Sequence, residues 1–204
     1  MGIFVDILTS QLISIGFAGL LIIYLTIEGY FAYKHKEPLI EKVHAASIPL
    51  LIIGLYIFIT GLYGQFIWPL PGSYNILFYD IYALFGVIVL ALAFALKYKT
   101  ELHYIGFIAL LFGFFAVYYG YVGYSLGMTT APLGMLAMYA LFGIGGIASY
   151  PLTLAYDKII EKKKAGSTLD KFFLSVFVLA IIIASLIAFF IVFSAIPVHL
   201  KAAP

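Results

Sequence analysis

The chain has 204 residues, of which 65% are hydrophobic and only 10% are charged, and its formal net charge is +2. Because soluble globular domains carry about 25% charged residues, this composition excludes a soluble domain and predicts a membrane protein. The chain contains no cysteine, which excludes disulfides, thiolate metal ligands and iron–sulfur clusters held by cysteine.

Six apolar stretches are each long enough to cross a bilayer. A span needs about 20 apolar residues, and a helix satisfies its own backbone hydrogen bonds in lipid. The stretches are Gln11 to Tyr33, Ala45 to Phe66, Ile76 to Leu96, Tyr104 to Leu126, Ala131 to Ala155 and Phe172 to Ile196. We therefore predict an all-α fold, a bundle of six transmembrane helices that forms a single integral membrane domain over residues 1–204.

The basic residues collect on one side of this predicted bundle. All eleven are lysine, and ten of them lie in the first, third and fifth loops. These ten are Lys34, Lys36, Lys42, Lys97, Lys99, Lys158, Lys162, Lys163, Lys164 and Lys171. The positive-inside rule then makes these loops cytoplasmic and places both termini outside a plasma membrane. We interpret the lysine run at 162–164 as part of this signal, and expect no nucleic-acid partner.

Span one contains Glu28, an acid well inside a predicted helix. It precedes Lys34 by six residues and so lies about 9 Å deeper, at 1.5 Å per residue. A charged group buried at the centre of a span costs about 2.5–3.5 kcal/mol, and such acids are candidates for function. The alternatives are that Glu28 is protonated, extends towards the interface or pairs with a lysine.

A pattern of one histidine and three glycines begins at span two and recurs 59 residues later. The two copies are His44, Gly54, Gly61 and Gly64, and His103, Gly113, Gly120 and Gly123. The pentapeptide Tyr82 to Gly86 also recurs, as Tyr139 to Gly143. We interpret this as a duplicated hairpin, spans two and three against spans four and five, that forms a four-helix core around a pseudo-two-fold axis.

The loop after span two gathers polar and aromatic side chains at one depth. Pro69, Pro71 and Gly72 indicate a fixed turn. The candidate ligand-binding residues of this end are Gln65, Trp68, Tyr74, Asn75, Asp80, Tyr82 and Tyr119. They can form a pocket that opens outwards, or an aromatic belt at the membrane interface above a rigid turn.

The stretch from Trp68 to Phe78, WPLPGSYNILF, followed by Asp80 and Tyr82 to Gly86, resembles a domain-of-unknown-function family. That family consists of uncharacterised polytopic membrane proteins from archaea and some bacteria. The resemblance implies a multi-span membrane protein, but it implies no ligand, reaction or catalytic residue.

Histidines 44 and 103 lie at the lysine-rich end of the bundle. We expect Thr100 to cap the fourth span, with His103 in its first turn. Across a pseudo-two-fold axis the two imidazoles can ligate a haem b iron or a metal, or they are two interfacial histidines beside lysines. The arrangement is similar in outline to the cytochrome b561 family, which implies electron transfer. That family holds two haems on two histidine pairs, whereas spans three and five here contain no histidine.

Span six has no glycine and is apolar all round, which predicts a lipid-facing helix at the periphery of the bundle. We expect Ser167 or Thr168 to cap its first turn.

No P-loop, GxSxG motif, HExxH motif or paired catalytic carboxylates occur, which favours a protein that is not an enzyme. Three functions remain. The first is a non-catalytic subunit or stabilising partner of a larger membrane complex, for example a respiratory one, in contact with lipids and with other subunits or a second copy. The second is a haem- or quinone-binding electron carrier that uses His44 and His103. The third is a small-solute transporter with Asp80 or Glu28 as its coupling acid.

Overall fold

The computed structural model describes residues 7–35, 37, 39–160 and 167–202, and within these ranges every regular element is an α-helix. The helices are α1 (Ile7–Lys34), α2 (Leu39–His44), α3 (Ser47–Ile67), α4 (Ser73–Tyr98), α5 (His103–Ser125), α6 (Pro132–Ile160) and α7 (Thr168–Ala202). Six segments, with α2 and α3 taken together as one, are long and apolar enough to cross a membrane. The predicted all-α fold with six spans is therefore confirmed. Four lysines of the predicted topology signal, at positions 36 and 162–164, lie outside the described residues.

The two central hairpins are closely packed because glycine faces backbone in both. In the hairpin of α3 and α4, a methyl group on Gly54 would lie 3.0 Å from the backbone nitrogen of Leu90. In the hairpin of α5 and α6, a methyl group on Gly113 would lie 2.9 Å from the backbone nitrogen of Ile147. Small residues at such points allow two membrane helices to approach closely.

The reciprocal contacts follow the same register. A methyl group on Gly86 would lie 2.6 Å from the nitrogen of Phe58, and one on Gly143 would lie 3.1 Å from the nitrogen of Val117. In both sets of contacts, the residue on α5 follows its equivalent on α3 by 59 positions, and the residue on α6 follows its equivalent on α4 by 57. These are the two offsets of the repeated sequence pattern. A common origin of the two hairpins stays a prediction that this register supports.

The helices follow one another around a closed ring, in the order α1, α3, α4, α5, α6 and α7. Helix α1 closes the ring by packing against both α3 and α7. Two of its glycines face α7, Gly16 against the ring of Phe189 and Gly19 against the hydroxyl of Ser185. The ring encloses an interior between the two hairpins, and this interior contains the site described below.

The last span, predicted as a lipid-facing helix at the periphery, has one side of α7 buried in the bundle. The buried residues lie at helical spacing, and they are Phe177, Ala180, Ile181, Ala184, Ser185, Ala188 and Val192. The small side chains of the alanines on this face let α1 and α6 approach α7 closely, as the glycines do within the hairpins. The predicted cap is confirmed at Ser167, whose hydroxyl accepts a hydrogen bond from the backbone nitrogen of Asp170 at 3.2 Å.

We predict that Gly113→Val destabilises the protein by about 1–3 kcal/mol, the usual result of overpacking. The new side chain would overlap the carbonyl oxygen of Gly143 and force α5 away from α6. Gly134→Val is the matched control, because the nearest atom to a methyl group at Gly134 is 3.9 Å away. Thermal unfolding in neutral detergent measures both variants, and equal unfolding temperatures would contradict the predicted contact.

Candidate functional site

The Asp80 carboxylate joins the two hairpins in the half of the molecule that carries the loop between α3 and α4. Its Oδ2 accepts a hydrogen bond from the Tyr119 hydroxyl of α5 at 3.0 Å. Its Oδ1 accepts one from the Gln65 amide of α3 at 3.3 Å. Nearby, the Tyr139 hydroxyl of α6 donates to the backbone oxygen of Leu77 in α4 at 2.8 Å. Three hydrogen bonds thus tie α3, α4, α5 and α6 together at this level.

The loop itself is held by Asn75, which is only 1% exposed. Its amide donates to the backbone oxygen of Gly64 at 3.0 Å, and its side-chain oxygen accepts from the backbone nitrogen of Leu70 at 3.3 Å. Helix α3 ends at this turn, where Trp68 adopts a left-handed conformation with φ 54°. Both polar atoms of the Asn75 side chain therefore bond to backbone groups, which supports a structural role for this residue.

Tyr82 is buried between three helices. Its hydroxyl lies 2.9 Å from the Ser14 hydroxyl of α1 and 2.9 Å from the Thr60 hydroxyl of α3. By contrast, Trp68 and Tyr74 are exposed. Of the seven residues predicted to form an outer pocket, only Gln65, Asp80 and Tyr119 are in mutual contact through Asp80. Ligand binding by this set stays a prediction.

At the opposite end, which carries the described lysines except Lys201 and which we call the basic end, Asp157 of α6 supports the start of α5. Its carboxylate is nearly buried, with the residue 8% exposed. It accepts hydrogen bonds from the backbone nitrogens of Leu102 at 3.0 Å and His103 at 2.8 Å. The expectation that Thr100 caps this helix is wrong, because the N-cap position is Leu102 and the acceptor comes from the neighbouring helix.

The two predicted haem-binding histidines have different surroundings. The Nδ1 of His103 lies 2.9 Å from the Asp157 carboxylate, which fixes the orientation of the ring. His44 is the last residue of the short helix α2, whereas His103 is the first residue of α5. In the described ranges no group of three or more histidine and acidic residues could hold a metal ion. Haem binding by the pair stays a prediction.

Glu28 is half-buried on α1. It interacts electrostatically with Lys42, whose ammonium group pairs with Glu37 at 3.0 Å. Glu28 therefore lies near the basic end, in the field of a lysine.

A large cavity occupies the interior of the ring in the half towards the basic end. Its volume is about 490 Å³, and α1, α2, α4, α5, α6 and α7 contribute to its walls. Apolar side chains line most of it. Its deep end lies at three aromatic rings, with the Phe85 ring 6.2 Å from that of Phe112 and 5.7 Å from that of Phe142.

The polar groups of the cavity lie nearer to its other end. Of the described charged residues, Lys34 at the end of α1 and Asp170 and Lys171 at the start of α7 line it there. Several residues that carry a hydroxyl group also line it, and they are Thr26, Tyr30, Tyr33, Ser149, Thr153 and Tyr156. A smaller cavity of about 80 Å³ adjoins Asp157 and shares Tyr156 with the large one. The arrangement offers an apolar interior with a charged mouth.

Sequence reasoning missed Asp157 and the cavity. Asp157 is two residues beyond the predicted end of span five, at Ala155, and α6 continues to Ile160. An acid in the last turn of a span was the available signal. The cavity had no signal, because its walls come from six helices and no local sequence pattern specifies how these helices are placed relative to one another.

We predict that Asp157→Ala lowers the free energy of unfolding by about 1–2 kcal/mol, the range measured for loss of a helix cap. The substitution leaves the backbone nitrogens of Leu102 and His103 without their acceptor. Lys158→Ala, on the exposed neighbour, is the control and should leave stability within about 0.5 kcal/mol. If urea unfolding in mixed micelles shows the same loss for both, the capping role is contradicted.

Comparison with known proteins gives one match. The model of a family described as "Protein of unknown function (DUF981)" matches residues 1–202. No curated protein and no solved structure matches the chain, and the likeness to the cytochrome b561 family finds no support in these comparisons. The chain, predicted from its loop motif to belong to an uncharacterised family of polytopic membrane proteins, is a member of the DUF981 family.

Proposed function

We propose that this membrane protein binds one amphiphilic molecule in the large cavity, with the apolar chain inside and the polar head at the basic end. The observation that carries the proposal is the cavity itself. Its volume of about 490 Å³ lies within the range of about 300–1,000 Å³ that ligand pockets occupy. Its lining is apolar with a few polar groups, which is the usual composition of such a site.

The shape of the cavity suits a chain that lies along the helices. Gly19 and Lys34 both line it and are fifteen residues apart on α1, about 22 Å at a rise of 1.5 Å per residue. This distance is a large part of the hydrocarbon thickness of a bilayer, about 30 Å. A lipid-like molecule from the same membrane would therefore find both its chain and its head at matching depths.

An apolar space of this size favours an occupant. Atoms that line an unfilled space lose van der Waals partners, and each pair of carbon atoms at optimal separation contributes about 0.1–0.2 kcal/mol. The methylene groups of a bound chain supply such contacts along the apolar walls of the cavity.

The earlier alternatives fit the described contacts less well. Both oxygens of Asp80 accept hydrogen bonds from other helices, which supports a structural role over that of a coupling acid. Neither His44 nor His103 lines the large cavity, so a quinone bound there would not contact either imidazole. A role as a subunit of a larger complex stays a prediction and is compatible with amphiphile binding.

We predict that Leu92→Trp displaces the bound molecule. Leu92 lines the cavity, and the larger side chain would fill the space that the chain needs. Leu84→Trp is the matched control on the same helix, because Leu84 faces outwards and is 49% exposed. Native mass spectrometry of each protein, released from micelles, should show a bound adduct at about one per chain for wild type and L84W, and little for L92W. Equal adducts in all three would contradict binding in the cavity.

We further propose, from the lysine distribution, that the basic end faces the cytoplasm and both termini lie outside. The chain contains no cysteine, so single cysteines report orientation without background. A membrane-impermeant maleimide should label Ser73→Cys, in the first turn of α4, in intact cells. It should label Lys158→Cys, in the last turn of α6, only after permeabilisation. The reverse pattern would contradict this orientation.

A further inference from the structure

We infer that the amphiphile carries an anionic head group, a phosphate or carboxylate, that Lys34, Lys171 and the Tyr156 hydroxyl recognise. This inference rests on the proposed binding of an amphiphile and names the class of molecule. It commits to a membrane lipid as the source, since apolar side chains form most of the lining and a free anion would gain nothing from them.

Among the described residues, the charge at the mouth of the cavity is unbalanced. Lys34 and Lys171 both line it, and in the described part of the chain neither forms an ion pair within 4.0 Å. The acid beside them, Asp170, is engaged elsewhere, because its Oδ2 accepts the backbone nitrogen of Ser167 at 2.6 Å. In the described part of the mouth, two lysines and one engaged carboxylate therefore leave a site that an anion completes.

The two lysines come from opposite ends of the chain. Lys34 is the last residue of α1, and Lys171 lies in the first turn of α7. These helices pack against each other around the ring, so both ammonium groups belong to one mouth. Their long stems can lie along the apolar wall while the charged ends meet a head group at the level of the membrane interface.

Tyr156 supplies a hydrogen-bond donor slightly deeper in the cavity. Its side chain crosses from α6 towards α1, where a methyl group on Gly29 would lie 2.7 Å from the tyrosine hydroxyl oxygen. Tyr156 lines the cavity, and its hydroxyl makes no hydrogen bond among residues 7–35, 37, 39–160 and 167–202. Glycine at position 29 therefore leaves room for this phenol, and the phenol can donate to an oxygen of the head group.

An anionic head fits this set better than a neutral one. Hydrogen bonds from ammonium groups to anionic oxygens are roughly twice as strong as those between neutral partners. A neutral head, such as an alcohol or a quinone, would leave both lysines without a counter-charge. The preference for an anion should therefore depend on these two lysines, whereas the affinity for the chain should depend on the apolar walls.

The test compares two probes with one chain and different heads, hexadecyl phosphate and hexadecanol, added to the full-length protein in neutral maltoside micelles. Native mass spectrometry measures the dissociation constant of each. We expect wild type to bind the phosphate about tenfold more tightly than the alcohol. The double variant Lys34→Gln, Lys171→Gln should bring the two constants within about twofold. Tyr156→Phe should weaken the phosphate alone, by a smaller factor.

The matched control is the double variant Lys97→Gln, Lys158→Gln, which removes two charges from the same end without touching the cavity lining. It should keep the preference for phosphate. An equal loss in both double variants would show that net charge alone attracts the anion, and would overturn the inference. Thermal unfolding of every variant identifies any that is misfolded. If the Lys34→Gln, Lys171→Gln double variant is misfolded, the single substitution Lys171→Gln, on the exposed first turn of α7, replaces it.

The remaining outcomes separate this inference from the proposed function. If wild type binds both probes equally and L92W binds neither, the cavity binds amphiphiles but the head-group inference is wrong. If L92W and L84W bind both probes as wild type does, or if wild type binds neither, the cavity proposal fails and the head-group inference fails with it.

Discussion

The hydrogen bonds around Asp80 decide how the two hairpins meet. Each hairpin is a closely packed unit, because the backbone at Gly54 lies against Leu90 of α4 and the backbone at Gly113 lies against Gly143 and Ile147 of α6. Between the hairpins the polar contacts described above lie in the loop half, where Asp80 accepts from Tyr119 and the backbone oxygen of Leu77 accepts from Tyr139. Inside a membrane such bonds hold helices in place, since lipid offers no competing partner. Towards the basic end apolar walls separate the hairpins, and the large cavity lies between them.

The function we propose follows from this difference between the two halves. The outer helices α1 and α7 close the ring around the space, and they also contribute its charged mouth through Lys34 and Lys171. Asp157 holds the first turn of α5 against α6 and so fixes the wall beside Tyr156. The loop half, where hydrogen bonds join the hairpins, thus holds in place the half towards the basic end, where the cavity can accept a ligand.

The sequence was sufficient for the fold and insufficient for the site, for a physical reason. Each span is a local property of about 20 consecutive residues, so all six were predictable, and the cap at Ser167 was readable from residues 167–170. The buried face of α7 was not predicted, because alanines among leucines and isoleucines cannot be recognised as a packing surface until the neighbouring helix is known. The cavity lies between side chains of six helices, and no local sequence pattern specifies such a space.

Among the candidate residues the same distinction holds. Asp80 and Tyr119 are 39 residues apart in the chain, and their similar predicted depth in the membrane was enough to group them. His103 was singled out for its imidazole, yet its partner is Asp157, which lay outside the predicted span and became visible only when α6 was placed against α5. Asp80 and Tyr119 could be predicted because their depth in the membrane follows from the sequence. Asp157 could not, because its role depends on which helix lies beside it.

The most direct test of the account places a chain in the cavity. A hexadecyl phosphate with a diazirine at the end of its chain, photolysed with the protein in lipid nanodiscs, marks the residues that the chain end contacts. The account predicts cross-links at the deep end, on peptides that contain Phe112, Phe142 and Ile181. Cross-links confined to outward-facing residues such as Phe114 and Phe115, and unchanged by L92W, would contradict it.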